Sequence, residues 1–182
     1  MQKKILVVYA SKCGSTAEVA QKVGEVLSQS GASVKVCATH EVRDIKSFDA
    51  VVLGTAIRMF KPLGEMRSFV FWNKGKLARK PTAVFSVGLA MSEDKPENRA
   101  DATKYITPLV EELANNKSQA MFGGKLDYQT LSPFFRYVFS KDTSGKMAEG
   151  DYRNWEAIQA WAATLPSALG LEAKTNPKNQ KG

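Results

Sequence analysis

Unbroken apolar runs alternate along this chain with stretches in which apolar residues return every three or four positions. Residues 4–10 (KILVVYA) are apolar nearly throughout, the pattern of a parallel strand covered on both faces. From about Ser15, the residues Val19, Val23, Val26 and Leu27 fall at helical spacing, and that helix is expected to end near Gly31. Residues 33–38 alternate instead, which predicts a more exposed strand nearer a sheet edge. Residues 48–54 predict a third, short buried strand. Pro62 is expected to start a helix carrying Met66, Phe69, Val70 and Trp72.

The second half repeats the theme. Residues 81–88 (PTAVFSVG) predict a fourth strand, and a polar loop over 91–101 leads to a helix with Tyr105, Ile106, Leu109, Val110 and Leu113 on one side. Pro108 falls inside that helix and predicts a kink, or a restart with Thr107 as N-cap. Residues 120–123 make a short fifth strand. Residues 125–150 have no clean pattern and are too long for an ordinary connection, so they read as an inserted segment. A closing helix over about 154–165 would bury Trp155, Ile158, Trp161 and Leu165, and residues 169–182 form a polar, Lys-rich tail. Residues 1–168 are therefore expected to be one α/β domain, a doubly wound five-stranded parallel sheet with helices on both faces. Ligands of such sheets bind at the carboxyl ends of the strands, which brings together residues 11–16, 54–61 and 86–94.

The first of these loops carries the sharpest chemistry. A strand run empties into Ser11, Lys12, Cys13, Gly14, Ser15 and Thr16, and the turn opens a helix. Unpaired N–H groups of a first helical turn, with hydroxyls of Ser11, Ser15 and Thr16, suit a phosphate dianion. The other reading of the same residues is a plain strand-to-helix turn with a hydroxyl cap. There is no Gly-Lys-Ser/Thr ending for a nucleoside triphosphate and no Gly-x-Gly-x-x-Gly for a dinucleotide. The second loop, Thr55, Ala56, Ile57, Arg58, Met59 and Phe60, places small residues before larger apolar ones, which suits a planar ring as well as it suits an ordinary connection. In the third, Ser86, Val87, Gly88, Leu89 and Ala90, the glycine permits close backbone approach.

Composition narrows this picture modestly. Hydrophobic content of 43% and charged content of 24% are ordinary for a globular protein, and 182 residues suffice for a substantial core. The net charge of +8 suits an anionic partner (a phospholipid surface, a carboxylated substrate or nucleic acid) or serves solubility alone. Cys13 and Cys37 have no motif spacing and suggest a reducing compartment. No secretory pattern opens the chain, and no apolar run approaches the ~20 residues of a membrane span. The expected location is the cytoplasm, with a peripheral contact on the inner face of the membrane left open. The sole histidine, His40, has no ligand neighbours in sequence.

Taken together, the three loops resemble the flavodoxin family. Residues 11–16 are similar to its phosphate loop, hydroxyl-x-Thr-Gly-x-Thr, with Cys13 where a threonine is usual. The resemblance implies FMN, its phosphate on Ser11, Lys12, Cys13, Gly14, Ser15 and Thr16. The isoalloxazine would lie between Thr55, Ala56, Ile57, Arg58, Met59 and Phe60 on one side and Ser86, Val87, Gly88, Leu89 and Ala90 on the other. Flavodoxins usually sandwich the ring with aromatics. Here Phe60 is the only aromatic in the second loop and the third has none, so the ring is expected to be more exposed, or covered by Met59, Leu89 or the inserted segment. Within the family, the chain is similar over residues 5–165 to the menaquinone-dependent protoporphyrinogen IX dehydrogenases. That similarity rests on Lys12, Gly54-x-x-Ile57-Arg58, Phe85-Ser86-Val87-x-Leu89 and Asp151-Tyr152-x-x-Trp155-Glu156-x-Ile158, while Met59 and the shorter inserted segment depart from it.

Two functions follow from the resemblance. One is an FMN-dependent oxidoreductase taking electrons from an anionic tetrapyrrole and handing them to a quinone, with no catalytic side chain assigned. The other is a soluble electron carrier without a substrate of its own. No metal and no nucleic acid are expected in either. Arg58, Lys61, Arg67, Lys74, Lys76, Arg79 and Lys80 crowd one stretch with Glu65 as its only acid, which suits propionates or anionic lipid headgroups, or is a solvated basic face. Leu131, Pro133, Phe134, Phe135, Arg136, Tyr137 and Phe139 would form an aromatic platform, a shallow membrane contact, or an element packed on the sheet edge.

Overall fold

Alternate residues of the central strands feed two separate cores. In the computed structural model, which describes residues 2–131, 133, 136, 137, 141 and 148–171, five parallel strands run in the order β2-β1-β3-β5-β6. They are β1 (Lys4–Ala10), β2 (Ser33–Ala38), β3 (Ala50–Arg58), β5 (Thr82–Gly88) and β6 (Asn116–Gly123). Ile5 and Val7 of β1, Val52 of β3 and Phe85 of β5 point to one face, which is covered by α1 (Ser15–Gln29) and α4 (Trp155–Ala168). Leu6, Val8, Leu53 and Val84 point to the other, covered by α2 (Gly64–Leu77) and α3 (Pro96–Val110). Strands buried on both faces have no room for polar alternation, which is why their sequences are continuous apolar runs. The edge strand β2 alternates: Val34 and Val36 pack on one core, while Ser33 and Lys35 on the other side stay exposed and only Cys37 of that side is buried.

The expected doubly wound sheet is therefore observed, with several boundaries displaced. β3 starts at Ala50 rather than Phe48 and runs on to Arg58, so Thr55, Ala56, Ile57 and Arg58 are strand, not loop. The chain then reverses through Met59 and Phe60 into β4 (Lys61–Pro62), which pairs antiparallel with β3. Pro62 thus ends a hairpin instead of opening a helix. α2 begins two residues later, after Leu63 donates its N–H to Ala56 O at 3.2 Å and Thr55 Oγ1 at 3.2 Å. Trp72, grouped by its helix with Met66, Phe69 and Val70, is 80% exposed, because the buried side of α2 is Met66, Phe69, Val70 and Leu77.

Pro96 opens α3 at its first turn, so the polar loop is shorter than its composition suggests. Pro108 neither breaks nor restarts α3: it lies in the last turn, and Thr107 Oγ1 donates back to Thr103 O at 2.8 Å rather than capping. β6 begins four residues earlier than its apolar end. α4 passes through Pro166 to Ala168, with Asn154 as N-cap accepting from the Ala157 N–H at 2.9 Å. Leu169 is buried beyond it. The inserted segment is closed at its base by a two-stranded antiparallel ribbon, β7 (Lys125–Leu126) with β8 (Gly150–Asp151). Most of its aromatic stretch, including Phe134, Phe135 and Phe139, lies outside the described residues.

Candidate functional site

Strand register brings the three predicted segments to one end of the sheet. Ala10 aligns with Thr55, and Thr55 with Ser86, so residues 11–16, the β3–β4 hairpin and the end of β5 emerge side by side. The close approach is built in at two glycines. The Phe85 ring lies over Gly54, where a Cβ would overlap it, and a Cβ on Gly88 would stand 3.1 Å from Ile57 Cβ.

The turn into α1 is made by Gly14, at φ +90°, a left-handed conformation that favours glycine. Its N–H is held by Ser11 Oγ at 3.1 Å. The first intrahelical bond runs from the Glu18 N–H to Gly14 O at 3.1 Å, so the N–H groups of Ser15, Thr16 and Ala17 precede it, and no side chain caps the helix. Thr16 is fully buried, and its Oγ1 has no hydrogen-bond partner. An orphaned hydroxyl at an uncapped helix N-terminus fits an anionic group bound in this cradle, because a buried polar atom otherwise costs roughly 1–3 kcal/mol.

The charges around the cradle are arranged differently from a simple cationic loop. Lys12 pairs with Glu65 in the first turn of α2, tying the loop to the second helix, and the ammonium holds the Glu65 carboxyl below its ordinary range. Cys13 is exposed, its Sγ 3.7 Å from Thr130 O, where the inserted segment comes back over the loop. Arg136 donates to Tyr128 O at 3.1 Å and Gln129 O at 3.3 Å and so steadies that return.

The second segment is a hairpin with an unusual tip. Met59 (φ 49°) and Phe60 (φ 64°) are both left-handed, as a two-residue type I′ turn demands, although such turns favour Asn and Gly. Both side chains are 71% exposed, and the Phe60 ring leans on Tyr105 of α3 at 5.3 Å between centroids. The structure also separates the site residues into two groups. Thr55, Ser86 and Val87 are buried in the sheet, and Thr55 Oγ1 accepts the Leu63 N–H. Ala56, Ile57, Arg58, Met59 and Phe60, with Gly88, Leu89 and Ala90, are the residues that reach the surface there.

A residue that pattern reading missed completes the frame. Arg153, its side chain only 5% exposed, donates to Glu18 Oε2 at 2.7 Å and to Asp151 Oδ1 and Oδ2 at 2.7 and 2.6 Å, and lies 4.6 Å over the Trp155 ring. The guanidinium holds the Asp151 carboxyl below its ordinary range. It clamps the end of the inserted segment to the first turn of α1, beside the cradle. The signal was present in Asp151-Tyr152-Arg153, but its partner Glu18 is 135 residues away. Gly123 completes the junction, since a Cβ there would collide with the Tyr152 backbone. His40 lies exposed on a short turn after β2, remote in sequence from all of these residues.

A family model described as "Flavodoxin domain" matches residues 6–152. The chain is 24% identical over 174 residues to protoporphyrinogen IX dehydrogenase [quinone] of Escherichia coli strain K12, covering 89% of this chain and 94% of that protein. Among solved structures, it is similar to oxidised flavodoxin 1 from Bacillus cereus, with TM-score 0.59 and 12% identity over 94% of this chain and all of that one. Rubredoxin oxygen:oxidoreductase from Desulfovibrio gigas matches with TM-score 0.60 and 18% identity over 93% of this chain. This chain spans 37% of that larger protein. These structural likenesses concern the fold.

Proposed function

The chain belongs to the flavodoxin domain family, and from that premise we propose that it binds FMN at this end of the sheet and works as an oxidoreductase of the protoporphyrinogen dehydrogenase type. The single observation that carries the cofactor is Thr16: a buried hydroxyl without a partner at an uncapped helix N-terminus. In this reading the N–H groups of Ser15, Thr16 and Ala17 and the hydroxyls of Thr16 and Ser11 hold the phosphate. Because Glu65 already balances Lys12, the affinity comes mainly from these neutral donors and the helix dipole. The hairpin tip and Gly88, Leu89 and Ala90 flank the ring, which supplies the capacity to accept electrons with protons and pass them on. Backbone approach at Gly88 and the apolar Met59 and Phe60 would position the ring and shield it from water.

An enzyme reading is favoured over a carrier by charge. Arg58 and Lys61 in the hairpin and Arg67 in the first turn of α2 are basic, and the one acid among them, Glu65, is paired, whereas Lys74, Lys76, Arg79 and Lys80 lie toward the far end of α2. Such a rim would attract a carboxylated tetrapyrrole. The similarity to a quinone-dependent dehydrogenase supports the same choice. The carrier alternative shares the fold and the cradle and is supported by the likeness to flavodoxins.

The cofactor test is a Thr16→Val variant. Removing an orphaned hydroxyl should leave the apo protein as stable as before or slightly more stable, while FMN affinity falls at least about tenfold. Unchanged FMN affinity would place the phosphate elsewhere. Anaerobic oxidation of protoporphyrinogen with menaquinone by the FMN-loaded protein then separates enzyme from carrier, since a carrier gives no turnover.

A further inference from the structure

Among the described residues, five large hydrophobic side chains stand exposed, and four of them, Met59, Phe60, Phe71 and Trp72, belong to the single unit formed by the hairpin and α2. Phe71 and Trp72 project from the solvent side of α2, opposite Met66, Phe69, Val70 and Leu77. Their rings meet edge to face at 5.1 Å, so they form one aromatic knob. Gly75 follows one turn later, and a Cβ there would meet nothing within 4 Å. The fold needs neither aromatic, since both are outside the cores on either face of the sheet.

The unpaired charges near this knob are basic. Arg67 lies four residues before Phe71 on the same side of α2, and Arg79 lies in the turn just beyond the helix end. Neither has an ion-pair partner among the described residues. Lys74 and Lys76 lie in the last turn of α2 and are paired with Glu112 at 2.5 Å and Asp44 at 2.9 Å, and Lys80 donates to Lys46 O and Phe48 O. Two bulky aromatics, with unpaired Arg67 earlier on the same helix and unpaired Arg79 just past its end, form a surface of apolar tip and cationic margin.

We propose that this face of α2 docks on an anionic phospholipid bilayer, Phe71 and Trp72 entering the interfacial layer and Arg67 and Arg79 meeting headgroup phosphates. Trp at a water–lipid boundary and basic residues beside it are the two contributions that such binding needs. A second copy fits the face poorly. A chain of net charge +8 repels its own basic rim, and two projecting rings cover far less than the roughly 800 Å² per partner of a stable dimer. Among the described residues no helix is long and apolar enough to cross a membrane, so the contact is lateral. The inference does not depend on what occupies the cradle.

The test is co-sedimentation of the full chain with vesicles of phosphatidylglycerol and phosphatidylcholine, against phosphatidylcholine alone, with tryptophan emission followed in parallel. Binding to the anionic vesicles should exceed that to neutral ones by at least about tenfold, weaken with salt, and shift the emission to the blue. The double variant Phe71→Ser, Trp72→Ser and the double variant Arg67→Glu, Arg79→Glu should each lose at least about tenfold in partition, with thermal unfolding unchanged. Equal partition onto both vesicle types, or undiminished binding by the Phe71→Ser, Trp72→Ser protein, overturns the proposal. So does a concentration-dependent dimer that this variant abolishes, or binding to an acidic polypeptide in place of vesicles.

Discussion

The hairpin tip offers a prediction in which stability and function move in opposite directions. Met59 and Phe60 both occupy the left-handed region, at φ 49° and 64°. For an L-residue that conformation costs about 1–2 kcal/mol, and Asn-Gly is the pair that tolerates it. Replacing Met59 by Asn and Phe60 by Gly should therefore recover about 3 kcal/mol of strain. Against this stand two losses. The exposed Phe60–Tyr105 ring contact, 5.3 Å between centroids with planes at 52°, is worth about 1 kcal/mol. A new glycine loosens the unfolded chain by a further ~0.7 kcal/mol. The balance is a gain of about 1 kcal/mol, or ~2–4 °C in the melting temperature of a chain this size. Thermal and urea unfolding of the apo protein measure it, with Tyr105→Ala reporting the ring contact separately. Flavin titration and turnover of the same variant should fall, because the removed side chains border the proposed ring site. A loss of more than about 1 kcal/mol would refute the reasoning, since the turn would then be held by contacts rather than strained. A gain in stability with flavin binding and turnover untouched would leave the strain without a functional purpose.

Other perturbations follow from the clamp and the sheet. Arg153→Met keeps the aliphatic stem and removes a guanidinium that is nearly buried between Glu18 and Asp151. Both carboxylates are partly solvated, so the cost should be about 1–2 kcal/mol rather than that of a fully buried pair, read as a lower urea midpoint. Arg153 depresses the Asp151 pKa in the folded state. The associated stability is present above the unfolded value near ~3.9 and is lost as pH falls through the lower folded value. Wild type and Arg153→Met should accordingly begin to converge in stability as pH falls below about 4 and continue to do so through the lower folded value, and a gap that widens there would contradict the assignment. Gly54→Ala would drive a methyl into the Phe85 ring at the centre of the sheet, and should cost about 2–3 kcal/mol by urea unfolding. An unchanged midpoint would mean that Phe85 moves freely, against its full burial.

The helical periodicity that correctly identified α1 grouped Trp72 with residues that are buried, and the contrast is physical. In α1 the apolar residues Val19, Val23 and Leu27 occupy a single side, so only one rotation buries them. In α2 the apolar residues 66, 69, 70, 71, 72 and 77 surround the helix, and several rotations look equally good in one dimension. Packing against the sheet selected Met66, Phe69, Val70 and Leu77 and left Phe71 and Trp72 outside. Pro62 is ambiguous for a related reason: a proline fits a helix start and an edge-strand end alike, and only its pairing with Ile57 decides.

By itself, the sequence determined the strand order's raw material, the strand-turn-helix at residues 11–16 and the gathering of three segments at one sheet end. Those features depend on contacts between near neighbours and on burial of whole runs, both legible locally. Tertiary structure alone decided which site residues turn inward, since Thr55, Ser86 and Val87 are buried by strands β1, β3, β5 and β6 acting together. It also decided that Lys12 is balanced by Glu65 and that Arg153 braces Glu18, pairs separated by 53 and 135 residues. Charge pairing of this kind is a property of distance in space, and no periodicity along the chain records it.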